Sequence, residues 1–192
     1  MLKKFKQWFI NEDVITLTNQ MGSNKKLAKR AQLENKIFQL DDGSLLQASI
    51  GSETDISDIL KIETLCYNGK TPWNKKALEH EIKTNTRSIY LIVRKSKQAI
   101  GFIGAWLVDE EAHVTNVAVI PAHQKQGIAT FLISELQTIS QHEGMKRMSL
   151  EVRVSNETAQ RLYSKIGFEK GKIKKAYYTG DREDALEMSK PL

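Results

Sequence analysis

Apolar and polar positions change rhythm several times along the chain, and each change marks an element. Leu2, Phe5, Trp8 and Phe9 recur at helical spacing with Lys3, Lys4 and Lys6 on the other side, and after Gly22-Ser23-Asn24 a second short basic helix runs to about Gln32. From Lys36 the pattern turns to strands, because Ile37-Phe38-Gln39-Leu40 and Ser44-Leu45-Leu46-Gln47-Ala48 flank the turn Asp41-Asp42-Gly43 as a hairpin. Ser52-Glu53-Thr54-Asp55 offers a capping box to a helix that carries Ile56, Ile59 and Leu60 and ends near Cys66. A further helix begins at Asn74 and passes through Ala77, Leu78 and Ile82.

Three strands follow, Ser88 to Arg94, Ala99 to Val108 and His113 to Ile120, joined by turns short enough to require antiparallel neighbours. Pro121 ends the third. A loop rich in Gln leads into a helix from Thr130 to His142, with Phe131, Leu132, Leu136 and Ile139 on one side and Gly144 as its stop. In the strand Lys146 to Val154, Met148, Leu150 and Val152 alternate with Ser149, Glu151 and Arg153, so Glu151 points away from the apolar face. Asn156 opens a last helix with the stripe Ala159, Leu162, Tyr163 and Ile166; Phe168 to Tyr178 and Ala185 to Met188 read as closing strands. These elements describe an α+β domain over residues 37–192, a mixed and mostly antiparallel sheet of six to seven strands flanked by helices, behind a basic helical extension over residues 1–36.

Composition narrows the class. A chain of 192 residues suits one domain with an appendage, and 40% hydrophobic with 27% charged residues describes a soluble globular protein. No apolar run approaches the roughly 20 residues of a membrane span. The basic start resembles a signal n-region, yet Gln7, Asn11, Glu12 and Asp13 interrupt any apolar segment behind it, so secretion is not indicated. Cys66 is the sole cysteine, which excludes an internal disulfide and a cysteine-based metal cluster and suits the cytoplasm. With no His or basic pair near it in sequence, Cys66 reads as a small, partly buried hydrophobe rather than a nucleophile. Five of the six excess positive charges lie in residues 1–36, where Lys3, Lys4, Lys6, Lys25, Lys26, Lys29, Arg30 and Lys36 face only Glu12, Asp13 and Glu34. For this arm three readings stay open: its apolar stripe docks on the domain, it meets an anionic membrane surface, or it meets ribosomal RNA.

The chemistry gathers after Pro121. A strand, then Gln124-Lys125-Gln126-Gly127-Ile128-Ala129, then a helix is a phosphate-binding arrangement, since consecutive backbone N–H groups and the helix N-terminus converge on an anion. Gly127 lets the backbone approach closely, Ala129 keeps the helix start narrow and Lys125 adds charge. Neither G-x-G-x-x-G nor G-K-[ST] is present, which excludes a dinucleotide fingerprint and a P-loop.

That loop, with Thr71-Pro72-Trp73, Asn116 to Pro121, Leu150-Glu151-Val152-Arg153-Val154-Ser155-Asn156, Leu162 to Phe168, and Tyr177-Tyr178 with Arg182 to Ala185, resembles the GNAT superfamily of N-acetyltransferases. Within it the chain is most similar to the RimI-like ribosomal-protein-alanine N-acetyltransferases, over about Ser44 to Leu192. The resemblance implies the GNAT fold, acetyl-CoA as co-substrate without a metal, and a protein N-terminus as acceptor, the family suggesting a small-subunit ribosomal protein. It assigns Glu151 as base, through water, and Tyr163 as acid. It places Val117, Ala118 and Val119 along the acetyl and pantetheine arm, Lys125, Gln126, Gly127, Ile128, Ala129 and Thr130 on the pyrophosphate, and Asn156 near the pantetheine. Pro72, Trp73, Tyr177 and Tyr178 correspond to positions that shape the acceptor groove, and Arg182, Glu183 and Asp184 to a tail element beside it.

The chemistry agrees with these assignments. Attack on a thioester needs a neutral amine, and an α-amino group near pKa 7.7 to 8.0 gives up its proton more readily than a lysine near 10.4. Structural alternatives stand beside each role: Glu151 as a surface carboxylate paired with Arg153 or Lys146, Tyr163 as a core ring, Asn156 as an N-cap, and the aromatics as core. Two other functions also stay open, a GNAT enzyme for lysines or small amines and a non-catalytic module that binds CoA or the ribosome. His113, near a strand start, receives no role from the resemblance.

Overall fold

The computed structural model describes residues 26–67, 69 and 74–192. The helix expected in the first 25 residues, and Pro72 and Trp73, lie outside them. Eight strands among the described residues form one sheet in the order β1-β2-β3-β4-β5-β6-β8-β7. They are β1 (Ile37–Gln39), β2 (Leu45–Ile50), β3 (Ser88–Lys95), β4 (Gln98–Val108), β5 (Glu111–Val119), β6 (Arg147–Arg153), β7 (Glu169–Lys174) and β8 (Ala185–Pro191). The sheet has eight strands against the six to seven expected; the hairpin expected over Ile37 to Ala48 forms as β1 and β2, with Gly43 in its turn at φ 80°. Every pairing is antiparallel except β5 with β6.

Among the described residues five α-helices accompany the sheet: α1 (Leu27–Arg30), α2 (Ile56–Cys66), α3 (Lys75–Lys83), α4 (Ile128–His142) and α5 (Glu157–Lys165). β4 is the central strand, buried from Ile100 to Leu107, because helices cover both of its faces. On one face Ile128 of α4 reaches over Gly101. On the other, Glu63 of α2 accepts from Asn116 and Glu81 of α3 accepts from the Trp106 indole. The Ser52 amide donates to Asp55 Oδ2 at 2.7 Å, so the capping box forms as expected, around a single 3-10 turn that leads into α2. α4 begins two residues earlier than the expected Thr130, since Gly127 takes the left-handed conformation and acts as its N-cap.

Residues 26–39 run along α4 as a strap. Leu27 is buried in the core, with its amide 3.0 Å from Thr86 O. Arg30 pairs with Glu143 at 2.5 Å, and the buried Glu135 carboxylate accepts from the amides of Glu34 and Asn35 at 2.9 and 3.1 Å. Phe38 stacks on Phe131 with centroids 4.8 Å apart, near the N-terminal end of the helix.

One irregularity shapes the centre. β4 pairs Ala105 with Val114 but Gly104 with Asn116, so Thr115 is an extra residue that bulges from the ladder. The parallel ladder of β5 with β6 runs from Glu111↔Arg147 to Val114↔Leu150 and ends there. Asn116, directly after the bulge, is fixed by Glu63 Oε1 at 2.8 Å and by the Tyr67 hydroxyl at 2.7 Å. Opposite the bulge, a Cβ on Gly104 would stand 2.6 Å from the Tyr90 ring, so only glycine fits beneath it. Gly104→Ala is therefore expected to lower stability by about 1–3 kcal/mol, read as a lower urea midpoint at unchanged m; an unaltered midpoint would mean that the ring relaxes freely.

Candidate active site

Glu151 is the first residue of β6 beyond the parallel ladder. Strand alternation sets it, with Ser149, on the face opposite the buried Leu150 and Val152. Its side chain is only 9% exposed, with Oε2 3.2 Å from His113 Nε2 and Oε1 accepting from the Lys174 ammonium. Lys174 also meets Glu187 Oε2 at 2.8 Å. Burial by itself would raise the Glu151 carboxyl, but hydrogen bonds and charge from His113 and Lys174 outweigh it and hold the group at about 2. The surface pairing considered for Glu151 does not form: Arg153 turns to Asp181 and Glu183 at 2.7 and 2.5 Å, and Lys146 to Glu110 at 2.6 Å.

A pocket of about 210 Å³ opens over this carboxylate, with Trp106, His113, Glu151, Lys174, Tyr177 and Glu187 in its wall. Tyr178 packs edge-on to Tyr177 at 5.3 Å, its hydroxyl 3.4 Å from Glu151 O and its ring under the Arg153 guanidinium at 4.0 Å. The loop behind both rings is closed by Tyr178 N to Glu183 O at 3.1 Å and Arg182 N to Tyr178 O at 2.7 Å. Asp184 fastens its start by accepting from Ala176 N at 2.9 Å. Burial and then the Glu151 charge keep the Tyr177 phenol protonated, and burial lifts Tyr178 to about 12.

Tyr163, on α5, is a buried ring 5.8 Å from Phe168, as its apolar stripe implies. Burial first, then Tyr178, raises its hydroxyl, and burial raises Tyr67, with smaller contributions from Cys66, Glu63, Tyr163 and Tyr178. The three phenols thus lie near one another and remain proton donors. Cys66 donates its thiol to Val119 O at 3.3 Å, and burial pushes it up to about 11, in keeping with a packing role.

Val117, Ala118 and Val119 follow the bulge on β5, bonded to β4 on one side and without a strand partner on the other. Gln124 folds back to donate to Val119 O at 3.0 Å, and Lys125 and Gly127 both take positive φ, 61° and 80°. The amide of Phe131 makes the first intrahelical bond, to Gly127 O at 2.9 Å. The amides of Ile128, Ala129 and Thr130 before it have no acceptor within the helix and point outward with Gly127 and Gln126 beside them. A Cβ on Gly127 would stand 3.3 Å from the Phe38 ring. Asn156 is an N-cap in fact, accepting from Ala159 N at 3.1 Å.

Glu151, Tyr177 and Tyr178 are therefore brought together, and the loop residues form a separate cradle at the start of α4. Missed by sequence reasoning were His113, Lys174, Trp106 and Glu187. The alternations Glu111–His113 and Ser149–Glu151 were visible, but that His113 faces Ser149 across a parallel ladder is a register, which periodicity does not carry.

Residues 56–168 match the model of the acetyltransferase (GNAT) family. A ribosomal protein bS18-alanine N-acetyltransferase of Haemophilus ducreyi is 35% identical over 142 residues, 71% of this chain and 94% of that protein. A Bacillus subtilis relative carrying the same enzyme name in provisional form is 37% identical over 134 residues, 70% of this chain and 87% of its own length. Among solved structures, the ribosomal-protein-S18-alanine N-acetyltransferase of Escherichia coli superposes with a TM-score of 0.67 at 30% identity, over 76% of this chain and 94% of that one.

Because its folded pKa is depressed from 4.5 to about 2, Glu151 contributes stability that is complete above the higher value and is lost as pH falls through the lower. Between about pH 6 and 3 this contribution shrinks by about 2 kcal/mol. The urea midpoint of the parent should fall more steeply over that range than that of Glu151→Gln; parallel falls would show that Lys174 and His113 do not hold the carboxylate ionised.

Proposed function

The chain belongs to the acetyltransferase (GNAT) family and is an acetyl-CoA-dependent N-acetyltransferase, and we propose that its acceptor is the N-terminal α-amine of a protein, the terminal alanine of a small-subunit ribosomal protein. The observation that carries the reading is a buried carboxylate, Glu151, set where the β5–β6 ladder ends and facing a pocket with aromatic walls. The named relatives, ribosomal protein S18-alanine N-acetyltransferases 30% and 35% identical to the chain over the aligned stretch, support that acceptor. The cytoplasm is the compartment that such an acceptor implies; no helix among the described residues is long and apolar enough to cross a membrane.

The residues present fit the coenzyme. Three outward amides, one left-handed glycine and Lys125 make a cradle for a pyrophosphate at the start of α4. The free edge at Val117, Ala118 and Val119 offers main-chain groups to an extended amide-bearing arm, and Asn156 caps α5 beside β6. When bound, the coenzyme supplies an activated acetyl thioester. Glu151 takes a proton from the acceptor amine, directly or through a water. Tyr163, kept protonated by burial, donates one to the departing sulfur. Tyr177 and Tyr178, with Pro72 and Trp73 from the segment between α2 and α3, shape the groove that presents the amine.

Incubation with acetyl-CoA and a peptide beginning with alanine should place the acetyl group on the α-amine, as located by tandem mass spectrometry. Modification of lysine side chains alone would transfer the assignment to a lysine acetyltransferase. By calorimetry, Gly127→Glu, which adds a charge and a Cβ in the cradle, should weaken CoA binding at least about tenfold, about 1.4 kcal/mol. Glu151→Gln should bind CoA like the parent while turning over about 100-fold more slowly. Equal CoA uptake by the parent and Gly127→Glu would remove the loop from the coenzyme site.

A further inference from the structure

The hydrogen bonds around His113 fix what its ring carries. Glu111 Oε1 accepts from the Ser149 hydroxyl. A hydroxyl has one proton, so Ser149 Oγ is the acceptor in its 2.9 Å contact with His113 Nδ1, and Nδ1 is the donor. The other nitrogen, Nε2, faces Glu151 Oε2 at 3.2 Å. A carboxylate oxygen and an imidazole lone pair both accept, so this contact closes only when one proton lies between them. The parallel register builds the chain of groups: His113 stands opposite Ser149, with Glu111 and Glu151 one side-chain repeat to either side.

We propose that His113 is a positioning residue that acts through Glu151, orienting its carboxylate and receiving the proton that the acceptor amine gives up. The inference rests on the acetyl-transfer reading above. An ammonium and a thioester give an amide, a thiol and one proton. Of the two protons lost from nitrogen, one ends on the thiol, and the other must leave the site. It passes to Glu151 Oε2 and from there to Nε2 of His113, giving the imidazolium whose hydrogen bond and charge hold the Glu151 carboxyl low; no electrons change hands. The Lys174 ammonium on Oε1 makes protonated Glu151 a poor resting place, so the carboxylate conducts the proton and the ring holds it. Ser149 and Glu111, whose side chain is 38% exposed, lead from Nδ1 back to solvent.

Charged groups from its own strand and from β6, β7 and β8 line the pocket that this ring faces. Glu111 comes from its own strand, Arg147 and Glu151 from β6, Lys174 from β7 and Glu187 from β8. Asp109, in the turn before β5, and the Tyr177 phenol complete the wall, while the Trp106 indole is committed to Glu81. Arg147 and Lys174 both pair with Glu187, which leaves Glu151 and Glu111 as the negative groups on either side of the ring.

The test uses the full chain with acetyl-CoA and an alanine-initiated peptide over about pH 5.5 to 9. His113→Gln should lower kcat at least about tenfold with KM for acetyl-CoA within about twofold. An unchanged kcat, or a loss that appears in KM alone, overturns the proposal. Ring-nitrogen NMR of the parent and of Glu151→Gln judges the contact without turnover or a His113 variant. The neutral ring should carry its proton on Nδ1, and Glu151→Gln should move the Nε2 signal while leaving the Nδ1 proton in place. A neutral ring protonated on Nε2, or an Nε2 signal that does not move, also overturns it. If the parent acetylates no amine while the Nε2 signal does move, the acceptor assignment fails and the His113–Glu151 couple stands.

Discussion

A parallel pair of strands has to come apart for this site to exist. β5 and β6 share four residue pairs, from Glu111↔Arg147 to Val114↔Leu150, and the bulge at Thr115 ends the ladder at the next step. Backbone groups left without partners inside a protein are costly, so an interrupted ladder is sustained only where something else will bond them. Here the interruption is enforced from outside the two strands. Tyr90 fills the space above Gly104, and Asn116 is tied to Glu63 and Tyr67 of the neighbouring helix region, so β5 is held in its bent course. The edge at Val117 to Val119, left without a strand partner, and the placement of Glu151 both follow from that bend.

The electrostatics build on the same geometry. Because β8 is inserted between β6 and β7, Glu187 sits directly across from Glu151, and two carboxylates on adjacent strands would repel. Lys174, arriving from β7, bonds to both and converts the repulsion into a shared cation. His113 approaches from the other side, so the carboxylate is bracketed by two nitrogen-bearing groups on opposite oxygens. Such a group is ionised whenever the protein is folded at neutral pH, and its value in the proposed role of base then depends on where a proton can go next.

Much of this was legible in the chain itself. Alternation along Lys146 to Val154 correctly turned Glu151 away from Leu150 and Val152, and the stripe through Tyr163 correctly buried its ring. The caps at Asn74 and Asn156 are where the side-chain chemistry put them. What stayed hidden depends on relations between strands. Lys174 reads in sequence as one more lysine in a basic run, and only its position beside β8 gives it two carboxylates. Trp106 reads as a core residue of a buried strand, and its role in the pocket wall comes from the face it shares with His113, its partner in the β4–β5 ladder. The helix start was placed two residues late because a left-handed glycine has no periodic signature.

On the proposed acetyl-transfer reading, the pocket over Glu151 poses a conflict that its composition then moderates. Asp109, Glu111, Glu151 and Glu187 make a negative wall that favours an amine as the ammonium ion, the form in which it arrives at neutral pH. The same field makes that ammonium harder to deprotonate, since a nearby opposite charge always favours the charged form. A pocket lined only with carboxylates would hold its substrate and leave it inert. Lys174 and Arg147 reduce the negative field where Glu187 stands, and Lys174 tempers it at Glu151 Oε1 as well, which leaves the attraction strongest along Glu111 and the Oε2 side of Glu151 that faces His113. The residues that draw the cation in are thereby the ones connected to a route for its proton, and capture and deprotonation act along one line.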